Sequence, residues 1–237
     1  MSLTPAQIEA LKAKLVSYWK FDENSWTTAF DSVGSNDWTA NNSRVIWNAW
    51  KINNGADFTQ GNDWITVSHN SSLNITSAIT IGWWIKTSSL TTTQYILNKR
   101  VFNSVNWWEL TYAVSGKCFV RFNQGSVWNT FRLDSVSNYT TDWQFWVATY
   151  DWSTIRLYIN WTLDASQSAS FTIGTNTTVL YIGRDEQSVF SNLLLDEAFI
   201  ANQALNADEV SFLYNNWDWL QYPFDTQKPA WFLMRNF

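Results

Sequence analysis

Between Trp143 and Ser168 the side chains alternate in polarity along two successive runs. Ile155, Leu157 and Ile159 interleave with Arg156, Tyr158 and Asn160, while Phe145, Val147 and Thr149 interleave with Trp146, Ala148 and Tyr150. A period of two sends neighbouring side chains to opposite faces of an extended chain, so this pattern predicts strands with one buried face. Turns are expected at Asp151–Thr154 and at Asn160-Trp161, which leaves three short strands in this stretch.

Comparable runs predict further strands over 15–21, then near 45–52, 56–59, 63–68, 78–87, 94–100, 107–114, 117–122, 129–133, 170–173, 179–183 and 193–201, with a polar loop from Asp22 to Asn42. Turn signals spaced roughly ten residues apart are the mark of an all-β sandwich. Helices are expected at the two ends. Thr4 is a good N-cap, Pro5 suits the first helical position and Gln7 completes a capping box, so 4–14 reads as a helix with Ile8, Leu11 and Leu15 on one stripe. That helix either packs on its own domain or docks on a neighbouring subunit. Asn206-Ala-Asp-Glu209 starts a second short helix, with acids in its first turn, running to Asn215. The tail, 217–237, is aromatic without a regular period, and is expected to pack along the domain or insert into a partner.

Four segments in order resemble a known family. ATYDWSTIRLYINWTLDAS (148–166) looks like the core hairpin of the laminin-G-like jelly rolls, in the concanavalin A-like lectin/glucanase superfamily. LVSYWKFDENSWTTAFDSVGSNDWT (15–39), AITIGWWIKTSS (78–89) and LYIGRDEQSVFSNLLLDEAFIANQALNADEVSFLYNN (180–216) resemble it as well. The resemblance covers roughly 15–216. It implies a jelly-roll sandwich of two antiparallel sheets with short terminal helices, a helix over 1–14 preceding it and the tail following it. It also implies a family that mostly binds, with ligands that vary widely.

Composition changes this picture at one point. The chain has 237 residues with 18 Trp and 8 Gly, whereas average usage would supply about 17 glycines. Turn-rich β proteins need positive φ at many turns, which favours glycine. Trp26, Trp38, Trp50, Trp64, Trp152, Trp161, Trp217 and Trp219 stand in polar, turn-like contexts instead. Each bulky residue in the left-handed region costs about 1–2 kcal/mol. In the resembling family the central hairpin commonly reads A-T-Y-D-G-S and then N-G. Either many of these tryptophans sit at UGA codons that the source reads as glycine, or they are loop aromatics adapted to stack on sugars. Trp19 and Trp84 match tryptophans of the family and are expected to stay.

Charge and cysteine content exclude several classes. A net charge of −5, thinly spread, argues against nucleic acid and anionic membrane. No apolar run approaches a membrane span or a signal peptide, so membrane insertion is not expected. Cys118 cannot form an intrachain bridge and reads as a small buried strand residue. His69, in VSHNSS, has no acid or nucleophile pattern beside it and reads as a surface histidine. Glucanases of the superfamily use Glu-x-Asp-x-x-Glu on one strand, where alternate carboxylates flank the bond. Asp185-Glu186 and Asp196-Glu197 are adjacent pairs that alternation would send to opposite faces. An enzyme is not expected.

Two sites are expected. Jelly rolls of this kind often hold Ca²⁺ where the first loop meets the last strand, and calcium wants six to eight oxygens. Asp31, Asn36 and Asp37 in FDSVGSNDW and Asp196 and Glu197 in LLLDEAF are the candidate ligands, with ion pairing to Arg184 or Lys20 as the alternative use of the strand acids. For a glycan, Trp107 and Trp128 would stack on sugar faces while Asn106, Asn123 and Gln124 read hydroxyls. The expected function is a non-catalytic binding or adhesion module for a glycan or cell-surface polysaccharide. It would be displayed extracellularly or on a virion, as a head or tail decoration, by fold analogy. The alternative is a structural assembly protein whose helix and tail make subunit contacts.

Overall fold

The structure, a computed structural model, describes residues 3–23, 28–41, 48–49, 51–59, 61–101, 104–113, 115–126, 130–215 and 220–224. Helix α1 (Pro5–Lys12) is followed by β1 (Leu15–Trp19), β2 (Thr28–Ala29), β3 (Trp38–Asn41), β4 (Asn48–Ala49), β5 (Asn54–Asp57), β6 (Trp64–Val67), β7 (Ile79–Thr87) and β8 (Gln94–Lys99). Then come β9 (Trp107–Tyr112), β10 (Cys118–Asn123), β11 (Thr130–Asp134), β12 (Gln144–Tyr150), β13 (Thr154–Ile159), β14 (Thr162–Ser168), β15 (Leu180–Ile182), β16 (Leu193–Ala201) and α2 (Ala207–Tyr214).

All the pairings are antiparallel. Sheet A runs β14-β13-β12-β7-β16-β5-β4, with β1 also on β16, and sheet B runs β11-β10-β9-β8-β15-β6-β3-β2. The central meander is as the alternation predicts, since β12 pairs β13 and β13 pairs β14. This is the jelly-roll sandwich expected from the four segments.

Between the sheets lies one continuous core that includes Trp19, Ile81, Trp83, Leu110, Val120, Trp146, Leu157 and Ile200. Trp83 and Trp146 stand opposite each other on β7 and β12. Beside them Gly82 is required by space, because a Cβ there would lie 2.4 Å from the Phe199 ring. A second apolar cluster fills the outside of sheet A. Tyr18, Trp84, Phe145, Val147, Tyr158 and Phe199 are covered there by Ile8 and Leu11 of α1, Val210, Phe212 and Leu213 of α2, and Phe224. Both helices carry capping boxes, Thr4 with Gln7 and Asn206 with Glu209. Helix α1 therefore packs on its own domain.

Some expectations are corrected. Residues 170–173 join no ladder, because the Tyr150 hydroxyl takes up both backbone groups of Phe171: it donates to the carbonyl at 2.5 Å and accepts from the N–H at 2.8 Å. The loop predicted from Asp22 to Asn42 contains β2 and β3, and Trp38 lies on β3 in the core rather than in a turn. Trp64 is also on a strand, β6. Trp26, Trp50, Trp128, Trp217 and Trp219, residues 45–47 of the 45–52 strand and the tail beyond Phe224 lie outside the described residues. Among the described residues no helix is long and apolar enough to cross a membrane.

Candidate binding site

One end of the sandwich carries a cleft of about 700 Å³, within the range of about 300–1,000 Å³ typical of ligand pockets. Three stretches distant in sequence form it: Gly61-Asn62 before β6, Ser89 and Thr91–Tyr95 leading into β8, and Val189–Asn192 before β16. Hydrogen bonds fix the loops against each other. Ser88 N–H donates to the Asn192 carbonyl at 3.2 Å, Ser191 Oγ to the Tyr95 carbonyl at 2.9 Å, and Thr92 Oγ1 to Ser89 Oγ at 3.0 Å. Gln94 links both sides, donating to Thr92 Oγ1 and accepting from Asn192 N–H. Phe190 packs against Trp64, with ring centroids 5.4 Å apart. Apart from the Tyr95 phenol, no side chain among the described lining residues is ionisable.

Tyr95, at the cleft, lies within electrostatic reach of Glu109 and Arg100 on the outer face of sheet B. One cross-strand row there reads Thr39, Thr66, Tyr181, Asn98, Glu109, Arg121, Arg132 from β3 to β11. Glu109, at 0% exposure, is held between Arg100, at 3.2 Å, and Arg121. Arg100 also reaches Glu186 at 3.3 Å. Burial raises the Glu186 carboxyl above the usual range, Asp185 and Glu109 add to this, and Arg100 opposes it. Lys99 points the other way, towards the interior, and its ammonium donates to the Asn176 carbonyl and side chain at 2.6 and 2.8 Å. Burial lowers its pKa to about 8.

The residues expected to bind sugar are brought together, but their polar atoms serve the fold. Trp107 is 5% exposed, its ring lies 4.9 and 4.8 Å from the Arg100 and Arg121 guanidinium groups, and its indole N–H donates to Ser104. Asn123 Oδ1 accepts from Asn106 N–H at 2.8 Å, and its amide donates to the Ser126 carbonyl. Asn106 Oδ1 accepts from Gly125 N–H. These amides tie the entry to β9 to the turn that follows β10. Gln124 is half-buried beside them, and Trp128 lies outside the described residues.

The expected calcium ligands fall into two separately engaged groups. Asp31 Oδ1 accepts from Tyr18 and Val33 N–H, Asp31 Oδ2 from Asn36 N–H, and Asp37 Oδ1 from Asp31 N–H. Asn36 donates to Ser17 and Ser72. These oxygens hold the loop. On β16, a register shift between Asp196 and Phe199, with Glu197 at φ 51°, overturns the alternation expected for the pair. A bulged residue adds one position to the strand. Asp196 and Glu197 thus both meet partners outside sheet A, Ile52 N–H at 2.8 Å and Gln221 Nε2 at 2.6 Å. The same Gln221 nitrogen lies 2.6 Å from Asp22 Oδ2. Burial pushes Glu197 up to about 8, opposed by hydrogen bonding from Tyr18 and Gln221, and burial with the neighbouring Glu197 charge raises Asp196 well above the carboxylate range. Among the described residues no group of three or more His, Cys, Asp or Glu is arranged to hold a metal. His69 is half-buried, and burial raises the Cys118 thiol.

A family model, Laminin_G_3 of the concanavalin A-like lectin/glucanases superfamily, matches residues 58–211. The chain belongs to this family. No curated protein matches the sequence of this laminin-G-like domain. Solved structures do resemble it. The binding domain of Paraclostridial Mosquitocidal Protein 1 aligns at 19% identity and a TM-score of 0.71, over 87% of this chain and 53% of that one. The binding domain of botulinum neurotoxin DC, in complex with rat synaptotagmin II, aligns at 14% and 0.73, over 89% and 53%. Botulinum neurotoxin type C, whose cell entry depends on interaction with two ganglioside molecules, aligns at 14% and 0.72, over 90% and 53%. The laminin-G-like domain thus spans about half the length of these chains.

Proposed function

We propose that this laminin-G-like domain is a non-catalytic glycan-binding module displayed on an outer surface, with the cleft between Asn62, Thr91–Tyr95 and Phe190–Asn192 as the glycan seat. The observation that carries it is the lining: hydroxyls and amides able to pair with sugar hydroxyls, beside the rings of Tyr95 and Phe190. No carboxylate pair stands in that cleft to cleave a glycosidic bond. Binding-domain neighbours of the same fold support the assignment, and placement on a virion rests on fold analogy. The alternative of an assembly protein loses one support, since Tyr222 and Phe224 of the tail pack on Tyr18 of their own chain.

The test is a glycan array followed by calorimetry on the hits. Binding that falls at least about tenfold on Thr92→Ala or Tyr95→Ala is expected. A folded protein that binds no glycan, or one that hydrolyses β-glucan at enzymatic rates, would overturn the assignment.

Calcium is carried forward in this proposal at Asp196 and Glu197 alone. The Asp31 loop does not fit an ion, because backbone N–H groups occupy its oxygens. Asp196 Oδ1 and Glu197 Oε2 are buried without a hydrogen-bond partner, which supports a hard cation there. Melting at about pH 8, where Glu197 can ionise, should rise with Ca²⁺ over chelator. Identical melting in both removes calcium from the proposal.

A further inference from the structure

We infer that the glycan held in the cleft is uncharged, so that terminal sialic acids and uronic acids are excluded from it. This rests on the glycan-binding assignment and narrows it. A carboxylate entering a site loses hydration and needs a cation or several donors in return. Among the described lining residues there is no Lys, Arg or His. The Arg184 guanidinium lies over the rings of Trp64, Tyr181 and Phe190. Its Nε donates to the Asp185 carbonyl at 2.8 Å and its NH2 to Ser188 Oγ at 3.0 Å. Arg100 is committed to Glu109 and Glu186. The hydroxyls of Ser89, Thr91 and Thr92 accept as readily as they donate, which suits neutral sugar hydroxyls.

The test measures binding of matched glycans with and without a terminal sialic acid, at low and high salt, to the wild-type protein and to Thr91→Arg. Thr91 is exposed at the mouth of the cleft, so the change adds a cation without opening the core. Neutral glycans should bind with little salt dependence, sialylation should weaken binding at least about tenfold, and Thr91→Arg should recover the sialylated form. Wild-type binding to acidic glycans alone, or binding that collapses with salt, overturns the inference while leaving glycan binding intact. Binding of no glycan sinks both.

A different observation carries a second inference. Trp152 and Trp161 adopt φ of 73° and 70°, and both are largely exposed, at 47% and 43%. Asn160 and Trp161 form a two-residue loop between the paired residues Ile159 and Thr162, with φ positive at both, 48° and 70°. That is the turn in which Asn-Gly is strongly preferred, since only glycine enters the left-handed region without steric cost. With 18 Trp against 8 Gly in the chain, the structure assigns glycine to positions 152 and 161 of the native protein, from UGA codons read as glycine in the source. Trp38 and Trp64, on β3 and β6, make no such demand on the backbone.

Peptide masses across 143–168 of protein isolated from its source decide it. Glycine at both positions is expected, and tryptophan at either overturns the assignment there. Trp152→Gly and Trp161→Gly in the sequence as written should each raise the melting temperature, even though the Trp161 ring meets Tyr214 at 4.5 Å. A fall in both would argue that the tryptophans are adapted.

Discussion

On the outside of sheet A, alternate positions carry Tyr18, Trp84, Phe145, Val147, Tyr158 and Phe199, and α1, α2 and residues 220–224 lie over them. On the outside of sheet B, the corresponding alternate positions carry Tyr181, Asn98, Glu109, Arg121 and Arg132, on which no described helix packs. Both faces follow the same two-residue period. They differ in what completes them. Sheet A is completed by the chain's own apolar elements, which stabilise it through area removed from water. Sheet B is completed by guanidinium–carboxylate pairs lying over aromatic rings, and this polar surface runs towards the cleft. The face that apolar elements leave uncovered is closed by polar side chains, with Asn98 and Glu109 at 0% exposure.

Two substitutions would break this contrast from either side. Leu11, on the inner face of α1, is fully buried. Leu11→Asp places a charge in that apolar cluster, and a loss of more than about 4 kcal/mol is expected, in the exceptional range for single changes. Denaturant unfolding should show a lower midpoint or an unfolded chain. A variant as stable as wild type would mean that α1 is not part of the cooperative unit. Next comes Glu109→Ala, which leaves Arg100 and Arg121 facing each other without their shared carboxylate. Removing one partner of a buried pair costs about 3–5 kcal/mol. Glu109→Ala with Arg121→Met should recover part of the loss, because one of the two guanidinium groups is then removed and Arg100 keeps Glu186.

The sandwich was legible because alternation at 145–150 and 155–159 directly encodes which residues enter the core, and because Thr4 with Gln7 and Asn206 with Glu209 encode their own helix starts. The cleft was not. Its walls come from residues near 61, 92 and 190, brought together only by the order of β6, β15 and β8 in sheet B, and short Ser/Thr runs carry no signal of their own. Residue type alone makes Asn106 and Asn123 look like sugar contacts. A turn amide and a ligand amide look alike until its hydrogen-bond partner is known. The bulge at Glu197 was hidden for a different reason: LLLDEAF alternates acceptably in either register, and only the pairing with β7 shows the shift. A run of Asn and Gln beside Gly125 would have signalled a turn rather than a site.

A smaller effect tests the acids outside sheet A. Glu197 has a folded pKa of about 8 against an ordinary 4.5. The folded state therefore binds a proton more tightly than the unfolded one across that interval. Its contribution is fully present below about pH 4.5 and is lost as pH rises through about 8. Melting temperature should fall over that window without added calcium, and Glu197→Gln should flatten the profile, because the amide keeps an acceptor for Gln221 without titrating. Parallel profiles for wild type and variant would show that Glu197 ionises normally.

The smallest effect is expected at the rim of sheet B, and it separates the centre of that face from its edge. Arg132 pairs with Asp134 at 2.9 Å through Nε and lies 3.8 Å from the Phe119 ring centroid. The two side chains are 41% and 45% exposed, so water screens the pair and both must lose rotamer freedom to meet. Exposed pairs of this kind contribute about 0.2–1 kcal/mol, and the ring contact adds about 0.5–1 kcal/mol at an exposed site. Arg132→Ala should therefore cost no more than about 2 kcal/mol, with part of that cost removed by salt in the wild type. Glu109 sits two strands away in the same row, with the same kind of partner, so the difference between the two variants isolates burial as the cause. If Arg132→Ala cost as much as Glu109→Ala, the row would act as one network rather than as a buried centre with a solvated edge.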